Sequence, residues 1–201
     1  MNRYIPQVCY LLLLITSLRA DQQDTNFLYL NTFHHPELKP AVLDSRLFVR
    51  ILGVEFTPNF GSVDRSAGTI TTTEHPIEPG AVACRPGCKL TVVLRNVTTE
   101  PLHIESFHFD YYRAWGTSPS AFSVTMQSYS APVEIYEAEA LPAGSALCKV
   151  SNYQDHDVIL GQPLTLEANG TVEFCINVQP GTSASTLIYV DNLAIIGRAP
   201  Q

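Results

Sequence analysis

Three glutamates, Glu134, Glu137 and Glu139, crowd one short segment of this 201-residue chain. Two carboxylates that flank a sugar bond can hydrolyse it, one as the acid and the other as the nucleophile or base. Strict strand alternation puts Glu134 on the face of Tyr136 and puts the other two glutamates on the opposite face. The spacing therefore predicts no acid pair across one cleft, and a glycan-acting hydrolase is the least favoured function.

Serine and histidine patterns give no support for nucleophilic catalysis either. The chain has no Gly-x-Ser-x-Gly elbow, and Ser118 and Ser183 follow glycine in plain turns. His103 and His108 are five residues apart, so they project from opposite strand faces unless a bulge at Ser106 realigns them. The sequence therefore predicts no catalytic residue, and a transition-metal site is not favoured.

Aspartates supply the hard oxygen ligands that calcium prefers. Asp191 lies near the last predicted strand, and either Asp110 or the pair Asp155 and Asp157 would complete a ligand set with it. Capping of turns and loops by aspartate is the competing interpretation. A structural calcium ion held by Asp191, Asp155 and Asp157 is thus the one cofactor that we consider.

Aromatic side chains cluster around the end of the longest predicted strand. Sugar rings stack on exposed aromatic faces, and polar side chains beside them hydrogen-bond the hydroxyl groups. Sugar contact is one hypothesis for this cluster, and completion of the core by strand-end aromatics is the other. The candidate ligand-binding residues are Tyr112, Trp115, Asp110 and Arg113, with Tyr111 and Tyr129 close to them in the sequence.

The first twenty residues have the features of an export signal. Arg3 precedes the apolar run 8–15, which is followed by Ser17, Leu18 and Ala20. The run is shorter than the roughly 20 residues that cross a bilayer, and no later segment is long enough. We therefore expect a secreted or cell-envelope protein with no transmembrane segment.

Charge disfavours one class of partner. The chain has 12 Lys and Arg against 19 Asp and Glu, and two of the basic residues, Arg3 and Arg19, lie in the signal. The mature chain therefore has a net charge of about −9. Such a surface repels a phosphate backbone, so nucleic acid is not expected. An extracellular glycan or a surface protein is the partner that we expect.

Four cysteines remain beyond the signal: Cys84, Cys88, Cys148 and Cys175. An even number in an exported chain predicts two disulfides, of which three pairings are possible. We favour Cys84–Cys88 around a short turn and Cys148–Cys175 between two strands. Zinc is disfavoured, because the spacing has no Cys-x-x-Cys pair and the compartment is oxidising.

Apolar residues recur with a two-residue period along most of the chain, which predicts extended strands. The central strand runs from 102 to 115, and a bulge at Ser106 shifts its phase. Other clear strands are 89–97, 122–127, 171–178 and the closing strand 187–196. These patterns predict an all-β antiparallel β-sandwich, a jelly roll of nine or ten strands. We expect a signal at 1–20, a leader or edge segment at 21–45 and the sandwich at 46–198.

The dipeptide Asn169-Gly170 separates two predicted strands. Asn and Gly tolerate positive φ, so the pair predicts a type I′ hairpin. Asn169 and Asn96 also each begin an Asn-x-Thr sequon, which would be glycosylated only in a eukaryotic secretory pathway.

Four segments, 102–112, 122–128, 171–178 and 189–197, give the second half of the chain a family resemblance. With FHFDYYR, TVEFCINV and YVDNLAIIG, it resembles the jelly-roll domain of exported bacterial surface proteins of the PEP-CTERM type. More distantly it resembles carbohydrate-binding-module sandwiches. The chain stops at Pro200-Gln201 without the sorting helix of the first family, so we expect a freely exported product. The resemblance implies a non-enzymatic module, carbohydrate-binding or adhesive, with a structural matrix or envelope protein as the alternative.

Overall fold

The computed structural model describes residues 26–33, 36–62, 66–71, 80–143, 153–183 and 187–198. The predicted signal and Cys148 lie outside these residues. None of the described segments forms a helix of the length and apolar character needed to cross a membrane. The strands are β1 (Phe27–Asn31), β2 (Val42–Leu43), β3 (Leu47–Leu52), β4 (Glu55–Pro58), β5 (Ser66–Ala67), β6 (Ile70–Thr71), β7 (Gly80–Cys84), β8 (Lys89–Asn96), β9 (Leu102–Arg113), β10 (Phe122–Gln127), β11 (Val133–Ala138), β12 (Gln154–Leu166), β13 (Thr171–Val178) and β14 (Ile188–Arg198).

The strands pair as a long hairpin folded over on itself. β7 pairs with β14, β8 with β13, β9 with β12 and β10 with β11, all antiparallel. The seven-stranded sheet has the order β12-β9-β14-β1-β2, with β7 also paired to β14 and β4 paired to β7. The five-stranded sheet has the order β11-β10-β13-β8-β3. Such nesting across two sheets is a jelly roll, so the predicted fold class is confirmed. The described residues form 14 strands, more than the nine or ten predicted, because several short strands lack a clear alternation.

The core lies between the two sheets and is built by alternate side chains of each strand. Phe174 of the five-stranded sheet stacks on Phe107 of the seven-stranded sheet, with ring centroids 5.3 Å apart. Phe174 and Val124 are fully buried, as the alternation predicts. Burial of this apolar surface is the main force that holds the sheets together.

The predicted bulge in β9 is present. On the neighbouring strand β14, Gly197 faces Ile104 and Ile196 faces Ser106, so Glu105 is an extra residue. The phase shift keeps both Ile104 and Phe107 in the core. The bulge also brings His103 and His108 to the same outer face, as the sequence allowed.

Residues before 46 contribute to the sandwich. β1 lies between β14 and β2, and Leu28, Tyr29 and Leu30 are buried. The described part of the predicted leader therefore includes a strand of the seven-stranded sheet.

The prediction of a type I′ hairpin at Asn169-Gly170 is wrong. Asn169 has a φ of +59°, but Gly170 is not in the positive-φ region. The amide of Gly170 donates to the carbonyl of Glu167 over 2.8 Å, which closes a turn between β12 and β13. These strands belong to different sheets, so the turn is an arch across the sandwich.

Two segments, residues 59–62 and 66–71, lie over the outer face of the seven-stranded sheet, and we call them the cover. Phe60 stacks on Tyr189 of β14 with centroids 4.7 Å apart. Ala67 packs in a small buried cluster with Leu30 and Ala194. The cover removes much of this sheet face from solvent.

Candidate functional site

The four predicted ligand-binding residues do not form one site. Tyr112 is only 1% exposed and packs beneath the cover with Tyr189, and Asp110 is fully buried. Arg113 donates to the carbonyls of Ser118, Leu141 and Gly116, over 3.0, 2.6 and 2.7 Å. It therefore clamps the loop after β9. Only Trp115 remains available, with 47% of its surface exposed.

The cover explains why this prediction was wrong. Tyr112 and Asp110 point away from the core, which in an open sheet would expose them to solvent. In the cover, which comes earlier in the chain, Phe60 packs against the cluster that contains Tyr112, and the Gly68 amide donates to Asp110. Local sequence around β9 carries no signal for this contact.

Three aspartates, Asp155, Asp110 and Asp191, stand side by side on β12, β9 and β14. Asp110 accepts hydrogen bonds from the Gly68 amide and the Asn192 side chain, over 2.9 and 2.8 Å. Asp191 accepts them from the Ser62 and Asn192 amides, over 2.6 and 2.7 Å.

N–H donors therefore occupy the oxygens of Asp110 and Asp191 that calcium would require. The part of the chain that the structure describes also holds no group of three or more His, Cys, Asp or Glu side chains arranged for a metal. Asp157, the remaining predicted ligand, faces His108 instead of Asp191. The arrangement does not fit a calcium ion.

The predicted Cys84–Cys88 disulfide is absent, and among the described residues Cys84, Cys88 and Cys175 are free thiols. Cys148, the predicted partner of Cys175, lies outside these residues. Cys84 is buried in the core on β7, and the turn at 85–87 carries Cys88 into the other sheet. Burial, together with the neighbouring Cys88, raises the pKa of Cys84 to about 12. Cys175 faces outward, as predicted, but it is buried with its Sγ atom 3.7 Å from Thr91 Oγ1.

The predicted separation of Glu134 and Glu137 is also wrong. A bulge in the β10–β11 pair places Glu134 opposite Thr125 and Glu137 opposite Ser123. Ser123 and Thr125 are two residues apart and share a face, so both glutamates lie on the outer face of the five-stranded sheet. Both are exposed, whereas a catalytic acid of a glycosidase is held in a site that disfavours its charge.

The outer face of the five-stranded sheet is the more open of the two outer faces. Its central row is Thr125, Cys175 and Thr91, short side chains that are buried or half-buried. The same row ends in the longer Glu134 on β11 and Leu52 on β3, both exposed. Short residues between long ones make a shallow groove, and we call this face the groove.

Charged and amide side chains line the rows on either side. Arg50, Val93, Glu173 and Gln127 form one row across β3, β8, β13 and β10. Lys89, Asn177 and Ser123 form another. The groove thus offers donors and acceptors of both charges.

Exposed aromatic rings stand at one end of the groove. Phe48 on β3 is 55% exposed and lies directly opposite Arg95, which in turn lies opposite Thr171. Tyr129, just after β10, is 78% exposed, and its hydroxyl is 2.8 Å from where a Cβ atom at Gly170 would be. From β3 to β10 is three strand spacings, so the two strands that carry or precede these residues are about 14 Å apart.

A second cluster, which sequence reasoning missed, lies on the outer face of the seven-stranded sheet. His108 Nδ1 is 2.6 Å from Asp157 Oδ1, and its Nε2 is 2.7 Å from Ser106 Oγ. Ser106 and His108 are two residues apart on β9, which is a visible signal. Asp157 joins them only through the β9–β12 register, which the sequence does not reveal.

Comparison with known proteins finds solved structures that are similar to this fold, but no match by sequence. The sequence matches no family model, and no curated protein is similar to it. The C-terminal family 22 carbohydrate-binding module of Clostridium thermocellum Xyn10B is 11% identical, with a TM-score of 0.43, over 86% of this chain and 95% of that one.

Two further solved structures have similar scores. A carbohydrate-binding module with specific mannan recognition, TmCBM27, is 14% identical with a TM-score of 0.39, over 85% of this chain and 96% of that one. The K1 cleaved adhesin domain of Lys-gingipain from Porphyromonas gingivalis is 8% identical with a TM-score of 0.42, over 86% and 98%. These structures are β-sandwich neighbours, and the proposals below rest on the surface of this chain alone.

Proposed function

We propose that the protein is an exported module that binds a glycan in the groove without catalysing a reaction on it. The observation that carries this proposal is the pair of exposed rings, Phe48 and Tyr129, at the end of a groove lined with hydrogen-bonding side chains. Aromatic faces stack on the apolar faces of sugar rings, and polar groups beside them select the hydroxyl pattern.

The polar lining supports a sugar over a purely apolar ligand. Arg50, Glu173 and Gln127 stand in one row, so cationic, anionic and amide groups lie within reach of a single bound chain. Each can hydrogen-bond a hydroxyl group as donor, acceptor or both. An extended glycan along the groove would meet the rings at one end and these side chains further in.

A glycan array followed by titration calorimetry tests the proposal. We expect wild type to bind at least one glycan, and Tyr129→Ala to weaken its Kd about tenfold, or about 1.4 kcal/mol. Phe48→Ala should act in the same direction. Leu43→Ala is the matched control, because Leu43 is a 46% exposed apolar residue on the other sheet.

Trp115→Ala separates the groove from the site predicted by the sequence. Trp115 lies in the loop between β9 and β10, so its loss should leave binding in the groove unchanged. If Trp115→Ala abolishes glycan binding and Tyr129→Ala keeps it, the binding site lies in that loop and not in the groove. A wild-type chain that binds no glycan would contradict the proposal and favour the structural alternative.

A further inference from the structure

Ser106, His108 and Asp157 form a continuous hydrogen-bonded chain on the sheet opposite the groove. Ser106 Oγ lies 2.7 Å from His108 Nε2, and His108 Nδ1 lies 2.6 Å from Asp157 Oδ1. A carboxylate only accepts, so Nδ1 carries the proton and donates to Asp157. Nε2 is then left with its lone pair toward the serine hydroxyl. This is the geometry of a nucleophile, its base and the group that orients the base.

Asp157 is held as an ionised acceptor by more than the histidine. It also accepts hydrogen bonds from the Thr69 amide and hydroxyl, over 3.0 and 2.5 Å. Burial alone would raise the pKa of Asp157, but the hydrogen bonds from Thr69 and His108 lower it below its usual value. The cover therefore fixes both the position and the charge of the orienting carboxylate.

Irregularities in two strands, β9 and β12, meet at Ser106. Glu105 is an extra residue in β9, skipped by the register toward β14 and toward β12. On β12, the register passes from Ile159 opposite Ser106 to Leu164 opposite Ile104. Bulges re-aim side chains and commonly lie next to active sites.

Apolar side chains flank the serine on both sides. Ile159 on β12 and Ile196 on β14 are its direct cross-strand neighbours. Ile159 is 67% exposed and Ile196 is half-buried. Directly opposite residues have Cβ atoms about 5 Å apart, so both isoleucines lie within contact of a group bonded to Ser106.

We propose that Ser106 is a base-activated nucleophile that accepts the acyl group of an ester with an apolar acyl chain, an activity separate from glycan binding. Ser106 Oγ attacks the carbonyl carbon while its proton moves to His108 Nε2. The tetrahedral intermediate collapses by breaking the ester C–O bond, and the leaving alkoxide takes the proton from His108. Water, deprotonated by His108, then attacks acyl-Ser106 and releases the carboxylic acid, which regenerates the serine.

Covalent labelling of the full chain tests the nucleophile directly. We expect an alkyl fluorophosphonate probe to add once, with peptide mapping to Ser106. Ser123, which has the same 6% exposure but no histidine partner in the described residues, is the internal control and should stay unmodified. Ser106→Ala should abolish the label.

Asp157→Asn distinguishes a catalytic role of the hydrogen-bonded Ser106, His108 and Asp157 from a merely structural role. The substitution keeps the shape but removes the charge that fixes the histidine tautomer, so labelling should slow at least about 100-fold in a chain that circular dichroism shows to be folded. Ile159→Ser should slow acyl transfer from p-nitrophenyl butyrate more than from p-nitrophenyl acetate. No label on wild-type Ser106, or an equal rate in folded Asp157→Asn, would overturn the proposal.

Discussion

Asp110 and Asp191 lie directly opposite each other on β9 and β14, and both are fully buried. The two carboxylates hold the cover through the Gly68 and Ser62 amides, and Asn192 donates to both of them. Main-chain donors thus surround a buried acidic pair, which ties the cover to the sheet. The same cover buries Tyr112 and positions Thr69 against Asp157.

Loss of one member of this pair should loosen the cover. Asp110→Ala leaves the Gly68 amide and the Asn192 side chain without an acceptor, and we expect a loss of about 3 kcal/mol in the free energy of unfolding. Asp155→Ala is the matched control from the same row of the sheet, where the side chain is exposed, and it should cost less than about 1 kcal/mol. Urea denaturation measures both, and equal losses would contradict the anchoring role.

Residue alternation was enough to predict the fold. The inner residues of β13, Val172, Phe174, Ile176 and Val178, were read correctly because a half-buried strand repeats every two residues whatever its neighbours are. The bulge at Ser106 was equally visible, since it shifts the same pattern within one strand.

The candidate sites depend on which strands pair and in which register, and the alternation of residues within a strand does not specify either. His108 meets Asp157 only through the β9–β12 register, and Glu134 joins the face of Glu137 only through a bulge on an edge strand. The Asn169-Gly170 turn has hairpin residues, but its flanking strands enter different sheets. Pairing between distant segments decides each of these outcomes, and no local pattern specifies it.

His156 should make stability depend on pH. Burial among Phe109, Phe122 and Tyr136 lowers the pKa of His156 from 6.5 to about 4, although the Asp157 charge opposes the shift. The unfolded chain therefore binds a proton below pH 6.5 that the folded chain does not. Stability should be complete above pH 6.5 and fall by up to about 3 kcal/mol as the pH drops to 4.

His156→Phe isolates this contribution, because phenylalanine suits the aromatic surroundings and cannot titrate. The variant loses the hydrogen bond to the Tyr136 hydroxyl, which changes stability by a constant amount, so the readout is the slope between pH 4 and 6.5. Urea midpoints at several pH values give that slope. An unchanged slope would mean that His156 binds protons equally in the folded and unfolded chains, which contradicts a lowered pKa.

Two glycines with positive φ should differ in their tolerance of a methyl group. A Cβ atom at Gly53, where φ is +80°, would lie 2.1 Å from the carbonyl oxygen of Lys89. At Gly87, where φ is +74°, it would meet nothing within 4 Å. Gly87→Ala should cost about 1–2 kcal/mol for backbone strain alone, and Gly53→Ala at least twice as much. Thermal or urea unfolding measures the loss of stability in both variants. Similar losses would show that the Lys89 carbonyl moves aside easily.

The thiols should react with alkylating reagents in a fixed order. Cys88 is half-exposed and lines a cavity of about 260 Å³, together with Arg85 and Glu55. Cys84 is 1% exposed with a pKa raised to about 12, and Cys175 is also 1% exposed, so neither presents its sulfur atom to solvent. Brief iodoacetamide treatment of the native chain should alkylate Cys88 before Cys84 and Cys175, as peptide mass spectrometry would show. After denaturation all three thiols should be alkylated. A Cys88 that resists the reagent until a reductant is added would mean instead that it is joined to another cysteine.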